Sequence, residues 1–204
     1  AMPEIDVLPR PRHCERLSGV CVLTRAMSVV AFTADRFEVV VRFLTSTLSN
    51  LPVAALGHVA NVRVAIAADL PHPQAYRLLA TSTGVEIFAR EAVGAYYGVV
   101  TLKQLIDRHG STIPCLAIED WPDFSARGVM LDISRDRVPT MTTLFELVDR
   151  LAAWKMNHLQ LYVEHTIAYA GHDDAWRSSS PITLEEMSAL DAYCRHHGIS
   201  LTAN

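Results

Sequence analysis

Hydrophobic and polar positions follow two different rhythms along the chain. Residues 17–23 and 28–33 are short runs rich in Val and Cys, too short for helices and suited to a pair of strands. Phe37, Val40, Val41, Leu44 and Leu48 then recur at three- and four-residue steps. This spacing predicts a helix capped by Thr33 or Asp35 and ended by Asn50, Leu51 and Pro52. A strand over 62–68 closes at Asp69, Pro71 and Pro73, because proline offers no donor to a ladder. Residues 75–81 and 85–89 predict a hairpin across Ser82, Thr83 and Gly84, with Gly84 free to take a positive φ. Residues 91–110 read as a second helix with Gly110 at its C-cap, and Gly94 and Gly98 suit a close approach of its first turns to a sheet. A last strand follows at 113–118. The order β-β-α-β-β-β-α-β predicts an α+β domain, a mainly antiparallel sheet with helices on one face.

The rhythm changes after the proline-containing polar segment EDWPDFSA, residues 119–126, which reads as a linker and sets expected domains of 1–124 and 125–204. Residues 127–134 form a near-continuous apolar strand, and 140–155 are amphipathic through Leu144, Leu147, Val148, Leu151 and Trp154. A strand at 158–163 follows. Residues 183–197 form a helix opened by a capping box, Thr183 with Glu186, and closed by Gly198, and 199–203 form a third strand. Strand, helix, strand, helix, strand predicts parallel β-α units, fitting either part of a doubly wound sheet or the opening of an eight-stranded β/α barrel. Asn204 falls at a strand with no helix after it, the edge expected of a truncated longer repeat.

Composition narrows the function. Half of the 204 residues are hydrophobic and a fifth are charged, ample for a packed core. Eighteen Lys and Arg against 22 Asp and Glu give a net charge of −4, with no long basic run, so no electrostatic footprint for nucleic acid is present. No apolar run reaches the roughly 18–20 residues of a membrane span, and the polar N-terminus carries no secretory core, so a cytoplasmic location is expected. Cysteines 14, 21, 115 and 194 lack CxxC spacing and are expected as free thiols in a reducing compartment; Cys14 and Cys21 would pair only if their backbones came close. No cofactor is implied.

Two stretches carry a resemblance. AYRLLATSTGVEIFAREAVGAYYGVVTLKQLI is followed by IPCLAIEDWPDFSARGVMLDISRDRVPTMTTLFELVDRLAAWKMNHLQLYV, together spanning roughly residues 75–163. The glycine-aromatic helix running into TLKQLI, the I-x-D-x-P-x-F linker, and RG-x-x-LD-x-SR ahead of K-x-N stand in order and at family spacing. With these the chain resembles family 20 glycoside hydrolases, the β-N-acetylhexosaminidase class. The resemblance implies an α+β domain preceding a TIM (β/α)8 barrel, of which this chain holds the first β-α-β-α-β units. It implies removal of terminal N-acetylhexosamine (GlcNAc or GalNAc) from glycans by a substrate-assisted retaining mechanism, in which the sugar's 2-acetamido oxygen attacks the anomeric carbon. An Asp orients that group and a neighbouring Glu protonates the leaving oxygen, a departure from the two-carboxylate scheme. The family's Asp-Glu pair follows the fourth barrel strand, so the catalytic residues are expected downstream of Asn204 and the chain alone is expected to be inactive.

The same resemblance puts Arg135 where the family's strand-one arginine contacts sugar hydroxyls, a task suited to a planar guanidinium fork. A strand-end salt bridge to Asp136 or Asp132 is the structural alternative. Asp132 reads as a structurally paired carboxylate within the strand, and Arg127, at the strand's start, as a stabilising charge. After the second strand the family shows a histidine and two aspartates, whereas this chain reads LQLYVEHTIAYAGHDDAW, the mark of a divergent branch. Glu164 and His165 occupy about the same place, a C-terminal strand end where barrel enzymes carry function. On the loop beyond, Tyr169, His172, Asp173 and Trp176 include rings able to stack on a pyranose or to pack the rim; Trp176 joins Arg135, Glu164 and His165 as an expected substrate contact. His172, Asp173 and Asp174 are consecutive and so a poor metal set. His196 and His197, at a helix C-terminus, suit the dipole.

Two other readings stay open at this stage. One is a non-catalytic carbohydrate-binding or assembly module completed by oligomerisation, since three exposed barrel strands leave an apolar edge and make self-association expected. The other, a nucleotide-binding doubly wound protein, lacks a GxGxxG or P-loop after any strand.

Overall fold

The computed structural model describes residues 7–29, 37–53, 62–135 and 137–204. The expected strand residues 30–33, the caps Thr33 and Asp35, and Asp136 lie outside the described residues. The chain divides into two compact units, 1–125 and 126–204.

In the first unit, strands β1 (His13–Val22), β2 (Met27–Val29), β3 (Val62–Ile66), β4 (Tyr76–Thr81), β5 (Gly84–Ala89) and β6 (Thr112–Asp120) form one sheet in the order β1-β6-β4-β5-β3-β2. The β1–β6, β6–β4 and β4–β5 pairs are antiparallel, while β5–β3 and β3–β2 are parallel, so the sheet is mixed rather than mainly antiparallel. The first two strands do not pair with each other, contrary to expectation, and stand at opposite edges. Helix α1 (Phe37–Leu48) explains why: it is the crossover that a parallel β2–β3 pair requires, and it leaves β1 to join β6. β1 also begins earlier than its apolar run, because an edge strand tolerates exposed His13, Glu15 and Arg16.

Helix α2 (Ala92–His109) packs on β4, β5 and β6 and against α1. Its fit depends on missing side chains. A Cβ at Gly94 would collide with the Ala75 carbonyl, and one at Gly98 with Ile87 and the Tyr76 ring. Burial of Tyr76, Leu78, Ile87, Leu102, Leu105, Leu116 and Ile118 makes this the larger core. Inside it the Tyr76 hydroxyl meets Thr101 Oγ1 at 2.7 Å and donates to Asp120 Oδ2 at 3.2 Å, tying β4, α2 and β6 together. At the strand ends Arg12 lies over the Trp121 ring at 4.8 Å and pairs with Asp123.

In the second unit β7 (Gly128–Asp132), β8 (His158–Tyr162) and β9 (Ser200–Ala203) form a parallel three-stranded sheet in chain order. The parallel β-α reading therefore holds for these strands. Helices α3 (Met141–Ala153) and α5 (Leu184–His196) make the connections, with a short α4 (Asp173–Trp176) before α5. Leu144, Val148 and Leu151 of α3 and Leu190 and Cys194 of α5 are buried with Ile133, Leu159, Leu161 and Ile199. Trp154, expected on the apolar stripe of α3, is instead 47% exposed: the helix stops at Ala153 and Trp154 is its C-cap. Thr183 and Glu186 form the reciprocal capping box, with the Glu186 amide donating to Thr183 Oγ1 at 3.1 Å and the Thr183 amide to Glu186 Oε2 at 2.9 Å.

Candidate functional site

Alternation along β7 and β8 separates two faces. Leu131, Leu159 and Leu161 turn toward the helices, so Met130, Asp132, Gln160 and Tyr162 turn to the other face, and the register sets Asp132 directly beside Tyr162. Both residues end their strands, and the chain's next polar groups gather there.

After β7 the backbone turns within three residues. The Ser134 amide and hydroxyl donate to Asp132 Oδ1 at 2.9 and 2.6 Å, closing a side-chain turn that places Arg135 beyond the strand end. The same two bonds, the hydroxyl's first, hold the Asp132 carboxyl below its ordinary value, and the Arg135 charge adds to the effect. The structural role expected of Asp132 thus has a named partner, Ser134, while Ser134 itself is buried.

Arg135 reaches across to the next strand end. Its Nη2 stands 3.7 Å from Glu164 Oε1, and the Tyr162 hydroxyl donates to that same oxygen at 3.1 Å. Glu164, foremost through this hydrogen bond, raises the Tyr162 phenol above its ordinary value. Arg135 is 73% exposed and loosely held, so most of its donors face solvent. An exposed guanidinium beside an acceptor-only carboxylate is complementary to a pair of neighbouring hydroxyls, each both donor and acceptor. Tyr162 was not singled out from the sequence, although the alternation Gln160, Tyr162, Glu164 already set it on the face of Glu164.

His165 and Trp176 are held in the excursion that follows β8. The Ser179 hydroxyl bonds the carbonyls of His165 and Trp176, both at 2.7 Å, and Trp176 Nε1 donates to the Tyr169 carbonyl at 2.9 Å. A parallel bridge between buried Ile167 and Ile182 closes the base of the excursion. Trp176 is half-buried and Tyr169 48% exposed, so Tyr169 presents the more open ring. Asp173 and Asp174 are exposed on α4, with Asp174 3.9 Å from Arg177. No group of three metal-ligating side chains occurs among the described residues, and no helix among them is long and apolar enough to cross a membrane.

Arg127 lies at the opposite end of the strands, in a structural knot. Its amide donates to Asn157 Oδ1 at 2.8 Å, its guanidinium bonds the Lys155 carbonyl from Nε (3.1 Å) and Nη2 (2.7 Å), and its own carbonyl accepts from the Asn157 and His158 amides. A groove of about 510 Å³ in the first unit is lined by His13, Glu15, Arg77 and Glu119 among others, but Arg77 is already paired there with Glu119 at 3.1 Å and with Asp69 at 3.5 Å.

The model of glycosyl hydrolase family 20, domain 2, matches residues 4–121. A β-N-acetylhexosaminidase of Cellulomonas fimi is 33% identical over 192 residues, covering 88% of this chain and 37% of that protein. An N,N'-diacetylchitobiase of Vibrio harveyi is 29% identical over 196 residues, 91% of this chain and 20% of that protein. The crystal structure of a Flavobacterium johnsoniae chitobiase superposes with a TM-score of 0.77 at 25% identity, over 97% of this chain and 34% of that one. A Bacteroides fragilis β-N-acetylhexosaminidase gives 0.79 at 19% identity, a likeness of fold, over 97% of this chain and 44% of its own. The chain thus spans less than half the length of each of these relatives. With more than half of its residues inside the family model and its relatives named hexosaminidases and chitobiases, the chain belongs to glycosyl hydrolase family 20.

Proposed function

We propose that the chain is the N-terminal portion of a glycosidase that removes terminal N-acetylhexosamine from glycans, and that Arg135 and Glu164 hold hydroxyls of the terminal sugar. The observation that carries the reading is their meeting at the C-terminal ends of adjacent parallel strands, 3.7 Å apart, with Arg135 largely exposed. In barrel enzymes that end of the strands carries the chemistry. On this reading β7, β8 and β9 are the first three strands of a TIM barrel, and the rim residues His165 and Trp176 contribute from the excursion after β8.

The mechanism divides the labour. Arg135 and Glu164 fix the ring by its hydroxyls, which supplies orientation rather than bond cleavage. The substrate's acetamido oxygen is the nucleophile, and the Asp-Glu pair that orients it and protonates the leaving group lies after the fourth strand. Asp132 is unsuited to that work, since Ser134 already fills one of its oxygens twice over. Release of p-nitrophenol from p-nitrophenyl N-acetyl-β-glucosaminide tests the proposal, comparing the 204-residue chain with a longer protein that contains it. Activity confined to the longer protein, with a raised KM in its Arg135→Ala variant, supports the reading. Turnover by the 204-residue chain itself overturns the placement of the acid pair.

Self-association of the 204-residue chain belongs to the same proposal. Met130, on the face of β7 turned away from the helices, is 61% exposed, apolar surface that a second copy would cover. A single monomeric species in sedimentation at micromolar concentration argues against it.

A further inference from the structure

Resting on the sugar-binding reading above, we infer that Tyr162 is a positioning residue: its hydroxyl holds Glu164 short of a closed ion pair with Arg135, so that both charged groups stay available to the sugar's hydroxyls. Three observations carry it. First, one oxygen, Glu164 Oε1, faces both Tyr162, at 3.1 Å, and Arg135 Nη2, at 3.7 Å. The phenol takes the hydrogen-bond distance and the guanidinium stands outside it, whereas Arg and a carboxylate left to themselves close to about 2.7–2.9 Å and often pair through two bonds.

Second, the phenol is placed by the sheet. Tyr162 is the last residue of β8 and lies in register with Asp132, so its backbone is held by the ladder and its side chain leaves the sheet on the face of Asp132. Glu164 follows two residues later, past the point where β8 ends, and has no such support; the Tyr162 hydroxyl supplies it. Third, the turn on the other strand is equally built. Ser134 occupies Asp132, so the carboxylate nearest Arg135 in sequence among the described residues is engaged elsewhere, and Arg135 extends toward Glu164.

A phenol used this way stands at a partly exposed strand position, to which tyrosine is well suited. It gains an exposed arginine whose donors are not consumed by its own partner. Vicinal hydroxyls can then bridge the gap, one accepting from Arg135 and the other donating to Glu164.

The test has two arms on the 204-residue chain. In the first, binding of N-acetyl-D-glucosamine is measured by saturation-transfer NMR for the parent chain, R135A, E164A, Y162F and the Y162F/E164A double variant. Y162F is expected to weaken binding about threefold to tenfold, the scale of one hydrogen bond. In the E164A background Y162F is expected to change nothing further, because Tyr162 acts through Glu164. Additive losses, or a Y162F chain that binds like its parent while R135A does not, overturn this inference and leave the sugar-binding reading standing. No saturation transfer from the parent chain or from a longer protein that contains it overturns both.

The second arm needs no sugar. The Tyr162 phenol is titrated by NMR in the parent, E164A and D132A chains, since Glu164, Asp132 and Arg135 are the charges that act on it. E164A is expected to bring its ionisation down toward the ordinary tyrosine value, with a smaller change in D132A. An unchanged titration in E164A shows the Tyr162–Glu164 contact to be absent and overturns the inference whatever the sugar arm gives.

Discussion

Asn157 accepts the Arg127 amide on its side-chain oxygen at 2.8 Å, and the Arg127 carbonyl accepts the Asn157 amide at 2.8 Å in return. This reciprocal pair joins the starts of β7 and β8, and the Arg127 guanidinium seals the Lys155 carbonyl beside it. It gives a physical account of why Arg127 and Gly128 are spaced as they are from Lys155 and Asn157. Asn157→Ala is expected to cost the second unit about 1–3 kcal/mol, the penalty for stranding a half-buried amide. A urea midpoint followed by Trp154 or Trp176 fluorescence measures it; an unchanged midpoint would mean the pair contributes nothing.

Gly128 sits under the His158 main chain, where any Cβ would collide with the carbonyl. Because backbone cannot step aside like a long side chain, Gly128→Ala forces β7 and β8 apart and is expected to destabilise the second unit by at least about 2 kcal/mol. Gly110→Ala is the useful contrast: a Cβ there meets open space, and only its φ of +67° resists substitution. Its expected cost is about 1 kcal/mol. Thermal denaturation of the two variants ranks them, and equal losses would contradict the steric argument.

In the first unit, Tyr76→Phe keeps the buried ring and removes its hydroxyl from Thr101 and Asp120. The expected loss is about 1–2 kcal/mol. Hydrogen exchange should locate it in β4, the middle of α2 around Thr101 and the end of β6, the three elements that the hydroxyl ties. Uniform loss of protection across both units would point to a different cause.

Alkaline pH should weaken both units. Burial pushes the Cys194 thiol from 9.0 up to about 12, with Asp191 adding to it, and the Tyr193 phenol from 10.0 up to about 12, with its bond to Asp149 adding to it. Burial, reinforced by Cys115, raises the Cys21 thiol from 9.0 to about 11. Each group keeps its proton longer when folded, so above its unfolded value the unfolded chain binds fewer protons and is favoured. The stability these groups contribute is complete below about pH 9 and is lost between about pH 9 and 12 as the unfolded and then the folded forms ionise. Denaturant midpoints from pH 7 to 11 test the sign; a midpoint rising above pH 9 would overturn it.

The same burial predicts slow thiol chemistry. Cys21, Cys115 and Cys194 are buried free thiols, whereas Cys14 is only partly covered. Ellman's reagent at pH 8 is expected to modify Cys14 first and Cys194 only as fast as the second unit opens. Rapid reaction of all four in the native chain would contradict the packing of both cores.

Much of the local structure was legible in the residues. Thr183 with Glu186, Gly84 at its hairpin, Gly110 at its cap and the Leu144–Val148–Leu151 stripe are short-range devices whose physics acts within a few residues, and each stands where its pattern set it. The family was legible too, because its glycines and its Arg127-to-Asn157 spacing record close approaches and hydrogen bonds that few other residues satisfy.

The hairpin of β4 with β5 and the parallel order of β7, β8 and β9 were legible, but the pairing of the first two strands was not. β1 and β2 have adjacent apolar runs, yet which edge each takes depends on the crossover made by α1 and on the free edge of β6, both distant in sequence. The site shows the same division. Arg135 could be named from the resemblance and Glu164 from its strand end, but only the parallel register of β7 and β8 brought them to 3.7 Å and set Tyr162 against Glu164. A strand's own period determines which face a residue takes; which other strand's residues share that face is decided by long-range ladder bonds, and that is information the tertiary structure alone supplies.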